Sequence, residues 1–312
     1  MVLYTRAMRA TRRSFVVSSA LAWLGVAPAL AATDPTAPSG GLRFMRLRHA
    51  SLLIEIGERR VVVDPWLTKG PGGGLVVDTG DVEPTFSERV GRVDLLLLTS
   101  STLDRLDSST LRALEDKRAS CLVPDERAEK VLRRAGFSRV RTVQVDVEEE
   151  VGGLVVTPFL CREAGLLAAS VGFHVAGAGR SFLVAGAVPP IVVDDRVARS
   201  ARAMPAEIVF LPRPDDLLTR LDPQASDDDL VLVARLARAR AVVPIADTVR
   251  PGPLVAPLAS FVDVRAARLE SETDDDPRAP GPRARGPRVV HADPWVWYRL
   301  PVATASRARR RR

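Results

Sequence analysis

The order in which short apolar runs follow one another constrains the fold of this chain more than any other feature. Pairs of β-branched runs joined by turns come first, and alternating strand and helix patterns come after them. This order occurs twice, over residues 42–136 and again over residues 154–245. Two sheets packed face to face, with helices outside, would account for both units. We therefore predict an α/β fold of the αββα type, a two-sheet sandwich with outer helices.

The spacing of apolar residues places the elements of both units. In the first unit the pattern changes at Leu42, and the alternation of residues 45–48 predicts a strand there. We predict further strands at residues 51–56, 60–63, 95–99 and 119–123, and helices at residues 108–115 and 126–135. Ser108 or Ser109 is the expected N-cap of the earlier helix. Strands follow at residues 140–145, 154–159, 171–175, 181–185, 208–211 and 241–245, and Ser226 caps a helix that extends to residue 238.

The charge of the chain is concentrated at its two ends. The formal net charge is +7, but residues 1–31 carry four arginines and no acid, and residues 271–312 carry ten arginines against five acids. The residues between these ends therefore have a net charge of −2. A middle region with this balance argues against a basic nucleic-acid-binding surface, so nucleic acid is not an expected partner.

The first residues have the order of a secretory signal. Arg12 and Arg13 match the twin-arginine signature, residues 15–30 are largely apolar, and residues 29–31 offer small side chains for cleavage. We predict that residues 1–31 are a twin-arginine signal peptide and that the mature protein is exported, to the periplasm or the extracellular space. Cleavage would leave no stable membrane span, and an uncleaved anchor is the alternative.

Composition divides the rest of the chain into a linker, a domain and a tail. Residues 32–41 are rich in Pro, Gly, Ser and Thr, as linkers are, and residues 42–270 contain the predicted sandwich. Residues 271–312 are rich in Pro and Arg, and we expect them to be largely disordered apart from a strand-like segment at 295–300. The cysteines Cys121 and Cys161 each lie near an apolar run, which favours two buried free thiols over a disulfide bridge.

Three segments together resemble one known family. Residues 47–55 contain His49-Ala50-Ser51, residues 61–67 end in Asp64-Pro65-Trp66-Leu67, and residues 93–107 run from an apolar strand into a polar loop. In this order and spacing they resemble the lactonase-like, ascorbate-phosphate-lactonase branch of the metallo-β-lactamase superfamily. The resemblance covers about residues 42–265. It implies an αββα sandwich with a metal site at one edge and a role for Asp64 in orienting the metal loop.

The positions that the family uses for metal ligands hold other residue types here. The resemblance places Ser100, Thr102 and Arg105 in the three histidine positions of the His-x-His-x-Asp-His loop, and only Asp104 keeps its family identity. Ala187 stands where a bridging aspartate is expected, and Ala246 where a late histidine is expected. Catalytic zinc needs several imidazole or carboxylate ligands and one open position for water. The sequence therefore predicts a scaffold that has lost most of its metal ligands.

Arg105 is the most consequential of these replacements. A guanidinium group stays protonated in proteins and would repel a divalent cation. We hypothesise that Arg105 takes the place of the metal as a permanent positive charge, paired with Asp104 or Asp64. The alternative is a loop arginine that points into solvent. His49 has two interpretations as well, a residue of the cleft or a histidine packed at the end of a strand.

The sequence thus favours a non-catalytic pseudoenzyme that binds a small anionic ligand or an envelope protein, without metal or other cofactor. The candidate ligand-binding residues are His49, Asp64, Ser100, Thr102, Asp104, Arg105 and Asp247, and no catalytic residue is assigned. One alternative is a divergent hydrolase of lactones or phosphoesters, with zinc in a rebuilt site made from Asp104, Cys161, Glu163, Asp247 and His49. Another is an envelope interaction protein that uses its basic tail.

Overall fold

Two β-sheets pack face to face in the computed structural model of the protein, so the predicted αββα sandwich is confirmed. The structure describes residues 31–32, 41–68, 76–78, 85–102, 105–162, 169–188, 194–212, 227–245, 249–251, 287–290, 292–294 and 296–300. Some predictions concern residues outside these ranges. They are the predictions for residues 1–30, most of the linker, most of the tail, Asp104, Glu163, Ser226, Ala246 and Asp247.

The described chain contains every predicted strand, together with five short strands that the sequence patterns did not predict. The strands are β1 (Ala31–Ala32), β2 (Leu42–Arg48), β3 (Ser51–Ile56), β4 (Arg59–Val63), β5 (Val76–Asp78), β6 (Leu95–Leu97), β7 (Ser120–Val123), β8 (Arg139–Thr142), β9 (Glu149–Val151), β10 (Leu154–Arg162), β11 (Ser170–Gly177), β12 (Arg180–Ala185), β13 (Ile208–Pro212), β14 (Ala241–Ile245), β15 (Val249–Pro251), β16 (Arg288–Val289) and β17 (Trp297–Arg299). The first sheet has the order β1-β17-β2-β3-β4-β6-β7-β8 and the second sheet the order β16-β14-β13-β12-β11-β10-β9. β15 and β5 pair with each other.

Each sheet combines antiparallel hairpins with parallel strands, as the order of sequence patterns implied. In the first sheet β2, β3 and β4 are antiparallel neighbours, and β4, β6, β7 and β8 are parallel. The second sheet repeats this arrangement, with antiparallel β9 to β12 followed by parallel β12, β13 and β14. The carboxyl ends of the parallel strands therefore meet at one edge of each sheet.

Apolar side chains fill three layers. The inner faces of the two sheets form one cluster, in which Phe44 of β2 meets Phe210 of β13 edge to face with ring centroids 5.1 Å apart. The outer face of the first sheet packs against α1 (Phe86–Val90), α2 (Ser108–Ala113) and α3 (Glu126–Arg134). The outer face of the second sheet packs against α4 (Arg196–Ala203) and α5 (Asp227–Leu236). Such burial is the main favourable contribution to the stability of the fold.

The N-cap of α2 differs from the prediction. Asp107, not Ser108 or Ser109, has the extended backbone of a cap, and its carboxylate accepts hydrogen bonds from the backbone N–H groups of Ser109 and Thr110. A carboxylate at this position satisfies two helix donors at once and also suits the positive end of the helix dipole. The prediction of a serine cap was wrong by one residue because the helix begins directly after Asp107.

The end of the described chain contributes to both sheets. Arg288–Val289, which the sequence patterns did not predict as a strand, pairs in parallel with β14. Trp297–Arg299, inside the predicted strand-like segment, pairs antiparallel with β2, and β1 pairs with its other side. Tyr298 stacks on Phe44 at a centroid distance of 5.4 Å, so this strand is packed into the core between the sheets.

The two cysteines are free and buried, as predicted. Burial raises the pKa of the Cys121 thiol to about 12, so this group stays protonated at neutral pH. None of the helices in the described part of the chain is long and apolar enough to cross a membrane.

Candidate functional site

Loops from both sheets meet at the edge where the parallel strands end. Thr99 follows β6, and its carbonyl oxygen accepts a hydrogen bond of 2.8 Å from the backbone N–H of Val171 at the start of β11. Ser100 forms an isolated antiparallel bridge with Ser170. Gly186, directly after β12, donates its N–H to the carbonyl oxygen of Val171 at 3.2 Å. The first two contacts join the two sheets, and the third holds Gly186 beside β11 within the second sheet. We call this edge the loop edge.

Asp64 is the central polar residue of the loop edge. Its side chain is fully buried, and its carboxylate accepts hydrogen bonds from Thr99, at 2.7 Å from the backbone nitrogen and 2.6 Å from Oγ1. Its carbonyl oxygen accepts a bond of 2.6 Å from Ser51 Oγ, which in turn accepts one of 2.8 Å from the backbone N–H of Trp66. Asp64 holds a positive φ of 42°, a strained conformation that such a network of bonds stabilises.

Arg105 completes the environment of Asp64. Its side chain is only 3% exposed, and its Nη1 atom lies 3.2 Å from Oδ2 of Asp64. Its Nη2 atom lies 3.5 Å from the carbonyl oxygen of Gly186, so the guanidinium group spans from one sheet to the other. The hypothesis that Arg105 pairs with Asp64 is confirmed, and the alternative of a solvent-facing arginine was wrong. Because both partners are buried, the loss of one of them costs more free energy than it would in an exposed ion pair.

His49 is packed into the wall of the loop edge. It follows β2, has a positive φ of 45° and is fully buried. Its ring meets the Trp66 ring edge on at a centroid distance of 5.4 Å. The guanidinium carbon of Arg48 also lies over the Trp66 ring, 5.9 Å from its centroid. Arg48 donates a hydrogen bond of 2.8 Å to the carbonyl oxygen of Thr68. The packing of His49 at a strand end matches the structural interpretation, while its role toward a ligand stays a prediction.

The two hydroxyl residues of the metal-loop positions lie at the same edge. Ser100 is buried and its Oγ donates a hydrogen bond of 3.2 Å to the carbonyl oxygen of Ala169. Thr102 is half-buried and donates its backbone N–H to Ser100 Oγ at 3.4 Å. Ala187, in the position of the bridging aspartate, is buried directly after Gly186. The structure therefore brings Asp64, Ser100, Thr102, Arg105 and Ala187 to one place.

The donor atoms in the described part of this edge do not fit a divalent metal. Two hydroxyls, a methyl group and a guanidinium group stand at the four described ligand positions, and zinc prefers imidazole, thiolate and carboxylate. Cys161 lies against the backbone of Gly186 and Ala187, but burial raises the pKa of its thiol to about 11, so it is protonated at neutral pH. Among the described residues no group of three His, Cys, Asp or Glu side chains could hold a metal ion.

Sequence patterns missed three residues that build this edge. Thr99 supplies two of the hydrogen bonds to Asp64, although it was seen only as the end of an apolar strand. Gly186 lies so close to Thr99 that an added Cβ would lie 2.7 Å from the Thr99 Cβ atom. Ser170 is 1% exposed, and its Oγ has no hydrogen-bond partner in the described part of the chain. A glycine directly after an apolar strand was the one signal that could have pointed to this close approach.

Comparison with known proteins identifies the architecture. No protein-family profile matches the chain. A UPF0173 metal-dependent hydrolase of Aeropyrum pernix is 28% identical over 150 residues, which are 47% of this chain. The match spans only 55% of the length of that relative.

Solved structures extend the likeness to most of the chain. The isothiocyanate hydrolase from Delia radicum gut bacteria superposes with a TM-score of 0.60 at 14% identity, covering 83% of this chain and 99% of that one. A metallo-β-lactamase fold protein from Bacillus subtilis superposes with a TM-score of 0.51 at 11% identity, covering 82% and 98%. Likeness at these identities is evidence of a common fold and does not carry an activity with it.

Proposed function

We propose that this chain, which has the metallo-β-lactamase fold, is a non-catalytic binding protein in which the Arg105–Asp64 ion pair stands in place of a metal centre. The observation that carries the proposal is the burial of this pair at the loop edge, where the guanidinium group bridges both sheets. The resemblance to metallo-β-lactamase-fold proteins is established, and the lactonase-like branch stays a prediction.

Charge explains why the ion pair and a metal exclude each other. A metal ion in such a fold offsets the charge of the carboxylates around it, and here a guanidinium group offsets the charge of Asp64 at 3.2 Å. Arg105 cannot lose its proton, so a divalent cation placed beside it would be repelled. The hydroxyls of Ser100 and Thr102 offer neutral oxygens, which offset little of that repulsion. The residues described at this edge therefore favour a metal-free state.

Polar atoms without partners support a ligand at the loop edge. Trp66 Nε1 and Ser170 Oγ are both buried and have no hydrogen-bond partner among the residues that the structure describes. A buried donor without a partner is unfavourable by about 1–3 kcal/mol, so a ligand that supplies acceptor atoms would be favoured. Both groups can donate, as can the hydroxyl of Thr102. A small anionic ligand fits this set of donors, and an envelope protein that presents a carboxylate would use the same chemistry.

The wider setting belongs to the same proposal. The twin-arginine segment at residues 1–31 supports export, so the ligand or partner is sought in the periplasm or outside the cell. The proposed ligand-binding residues remain His49, Asp64, Ser100, Thr102, Asp104, Arg105 and Asp247.

Metal analysis of the purified, tag-free mature protein tests the proposal. After exposure to zinc, manganese or iron and gel filtration, we expect far less than one metal ion per chain by elemental mass spectrometry. We also expect no chelator-sensitive hydrolysis of lactones or phosphoesters. The Aeropyrum pernix relative, treated in parallel, is the control for metal loading. Stoichiometric metal together with hydrolysis that a chelator abolishes would overturn the proposal.

A divergent metal-dependent hydrolase is the second candidate, and the relative at 28% identity is the observation that favours it. In this case zinc would bind a rebuilt site that uses Asp104, Asp247, Glu163, Cys161 or His49. Replacing Asp104 by Asn and Asp247 by Asn would then remove bound metal and activity together. Arg105→Gln separates the two candidates, because it removes a repelling charge and leaves all five of these groups in place.

A further inference from the structure

We propose a second binding site, for a dianionic small molecule such as a phosphate ester, in a basic cleft at the edge opposite the loop edge. The basic cleft is formed by four arginines and two aspartates, namely Arg59, Arg92, Arg118, Arg139, Asp94 and Asp116. Its volume is about 330 Å³, which lies at the small end of the range found for ligand pockets. The inference is independent of the function proposed for the loop edge.

The fold brings these residues together from separate segments. Asp94 precedes β6, Arg118 precedes β7, and Arg139 begins β8, so all three lie where the parallel strands start. Arg59 begins β4 in the same sheet. The turn after β9 closes the cleft from the second sheet, where Gly152 has a positive φ of 58°. An added Cβ at Gly152 would lie 3.6 Å from the Arg59 guanidinium carbon, so the turn and this arginine are in close contact.

The two carboxylates of the cleft are already satisfied by their neighbours. Asp94 Oδ1 accepts from Arg59 Nη1 at 3.3 Å and from Arg92 Nη2 at 3.0 Å, while its Oδ2 accepts from the backbone N–H of Arg60 at 3.0 Å. Asp116 accepts from both the backbone N–H and Nε of Arg118. The backbone N–H of Arg118 is the main cause that lowers the pKa of Asp116, so this carboxylate stays ionised at neutral pH.

The basic cleft has more positive than negative charge. Four guanidinium groups face two carboxylates, which leaves an excess of two positive charges around one cavity. Arg139 is exposed and makes no ion pair with any described residue. Two guanidinium groups share Asp94, so each keeps N–H donors that this carboxylate does not use. A dianion would balance the charge, and pairs of its terminal oxygens could accept paired bonds from the guanidinium forks.

The geometry favours a phosphate group over a larger polyanion. The arginines surround a cavity of limited volume between two sheets and do not extend as a stripe over a helix. A nucleic acid would need a long basic surface, whereas this patch is confined to the starts of neighbouring strands. A terminal phosphate on a small molecule carries nearly two charges at neutral pH and suits a cavity lined by several guanidinium groups.

Calorimetric titration with two probes of similar shape tests the proposal. Phenyl phosphate is the dianionic probe, and benzoate is the monoanionic control. We expect the mature protein to bind phenyl phosphate saturably and benzoate at least about tenfold more weakly, and we expect phenyl phosphate binding to weaken as salt is raised. Binding that is equal for the two probes would overturn the assignment of a dianion site, and so would the absence of saturable binding.

Matched variants locate the binding. Arg139→Gln should raise the dissociation constant for phenyl phosphate about tenfold, because it removes a charge-assisted donor pair. Arg127→Gln, at the exposed start of α3 beyond the opposite ends of the strands, makes the same change in charge away from the cleft and should leave it within about twofold. Arg139→Lys keeps the charge and should give an intermediate value. Equal effects of Arg139→Gln and Arg127→Gln would overturn the proposal, and thermal unfolding of each variant verifies that it is folded.

Discussion

Replacing Arg105 by Ala should destabilise the protein strongly, because it removes the guanidinium group that lies 3.2 Å from the fully buried carboxylate of Asp64. Removing one partner of a buried ion pair typically costs about 3–5 kcal/mol. Asp64 would keep its two hydrogen bonds from Thr99, so we expect a value near the lower end, about 3 kcal/mol. For a domain of this size about 3 kcal/mol corresponds to a loss of roughly 6–12 °C in Tm.

A double-mutant cycle measures the contribution of the pair itself. Urea unfolding of the wild type, Arg105→Ala, Asp64→Asn and the double variant gives four free energies of unfolding. We expect the double variant to lose at least about 1 kcal/mol less than the sum of the single variants, because the second change removes a charge that has already lost its partner. The control is Arg134→Ala on the exposed side of α3, which should stay within about 0.5 kcal/mol of the wild type.

Two outcomes would refute this reasoning. A loss below about 1 kcal/mol for Arg105→Ala would mean that the pair behaves as an exposed ion pair does. Additive single effects would mean that the carboxylate and the guanidinium group stabilise the fold separately. Either result would remove the electrostatic basis for saying that Arg105 stands in place of a metal.

Three further predictions concern a cap, a close approach and a pH dependence. Asp107→Ala should lower the free energy of unfolding in urea by about 1–2 kcal/mol, since it removes the acceptor for two N–H groups of α2; no change would mean that the cap contributes nothing. Gly186→Ala should lower Tm or prevent folding, because its Cβ would overlap with Ser170 Oγ. Gly41→Ala should leave Tm nearly unchanged, because no atom of the described residues lies within 4 Å of the added Cβ. Burial lowers the pKa of His174 below 6.5, so the unfolded chain binds its proton more readily than the folded protein. The free energy of unfolding should therefore fall as pH decreases from 6.5 through the folded pKa of His174. The variant His174→Gln should show a weaker pH dependence of unfolding over this window. An equal pH dependence in the variant and the wild type would contradict the attribution to His174.

The strongly patterned elements could be predicted from the sequence, and the short ones could not. β14 (Ala241–Ile245) and β3 (Ser51–Ile56) have the predicted bounds, because an unbroken or alternating apolar run determines both strand type and burial. α1 (Phe86–Val90) and β16 (Arg288–Val289) are too short to show a period. Their conformation depends on tertiary packing and on pairing with β14, which local sequence does not encode.

The two binding regions differ in how far sequence reasoning could reach. Asp64 and Arg105 could be singled out because both follow strands in recognisable motifs, and their charges are complementary. The bonds of Thr99 and Ser170 could not be predicted, since they depend on how closely the two sheets approach. The basic cleft was missed for the same reason, because its arginines come from segments up to about 80 residues apart and meet only at the starts of parallel strands.

The pairing of β17 with β2 determines when the protein can complete its fold during synthesis. Met45 has Trp297 as its partner, and about 250 residues separate them along the chain. A ribosome that has produced β2, β3 and β4 must still add nearly the whole chain before the outer side of β2 is covered. Until then the nascent protein exposes an unpaired strand edge with the apolar side chains of Leu42, Phe44, Met45 and Leu47, which is the kind of surface that chaperones bind and that promotes aggregation. The outer side of β2 can therefore be covered only after residues 297–299 have emerged from the ribosome.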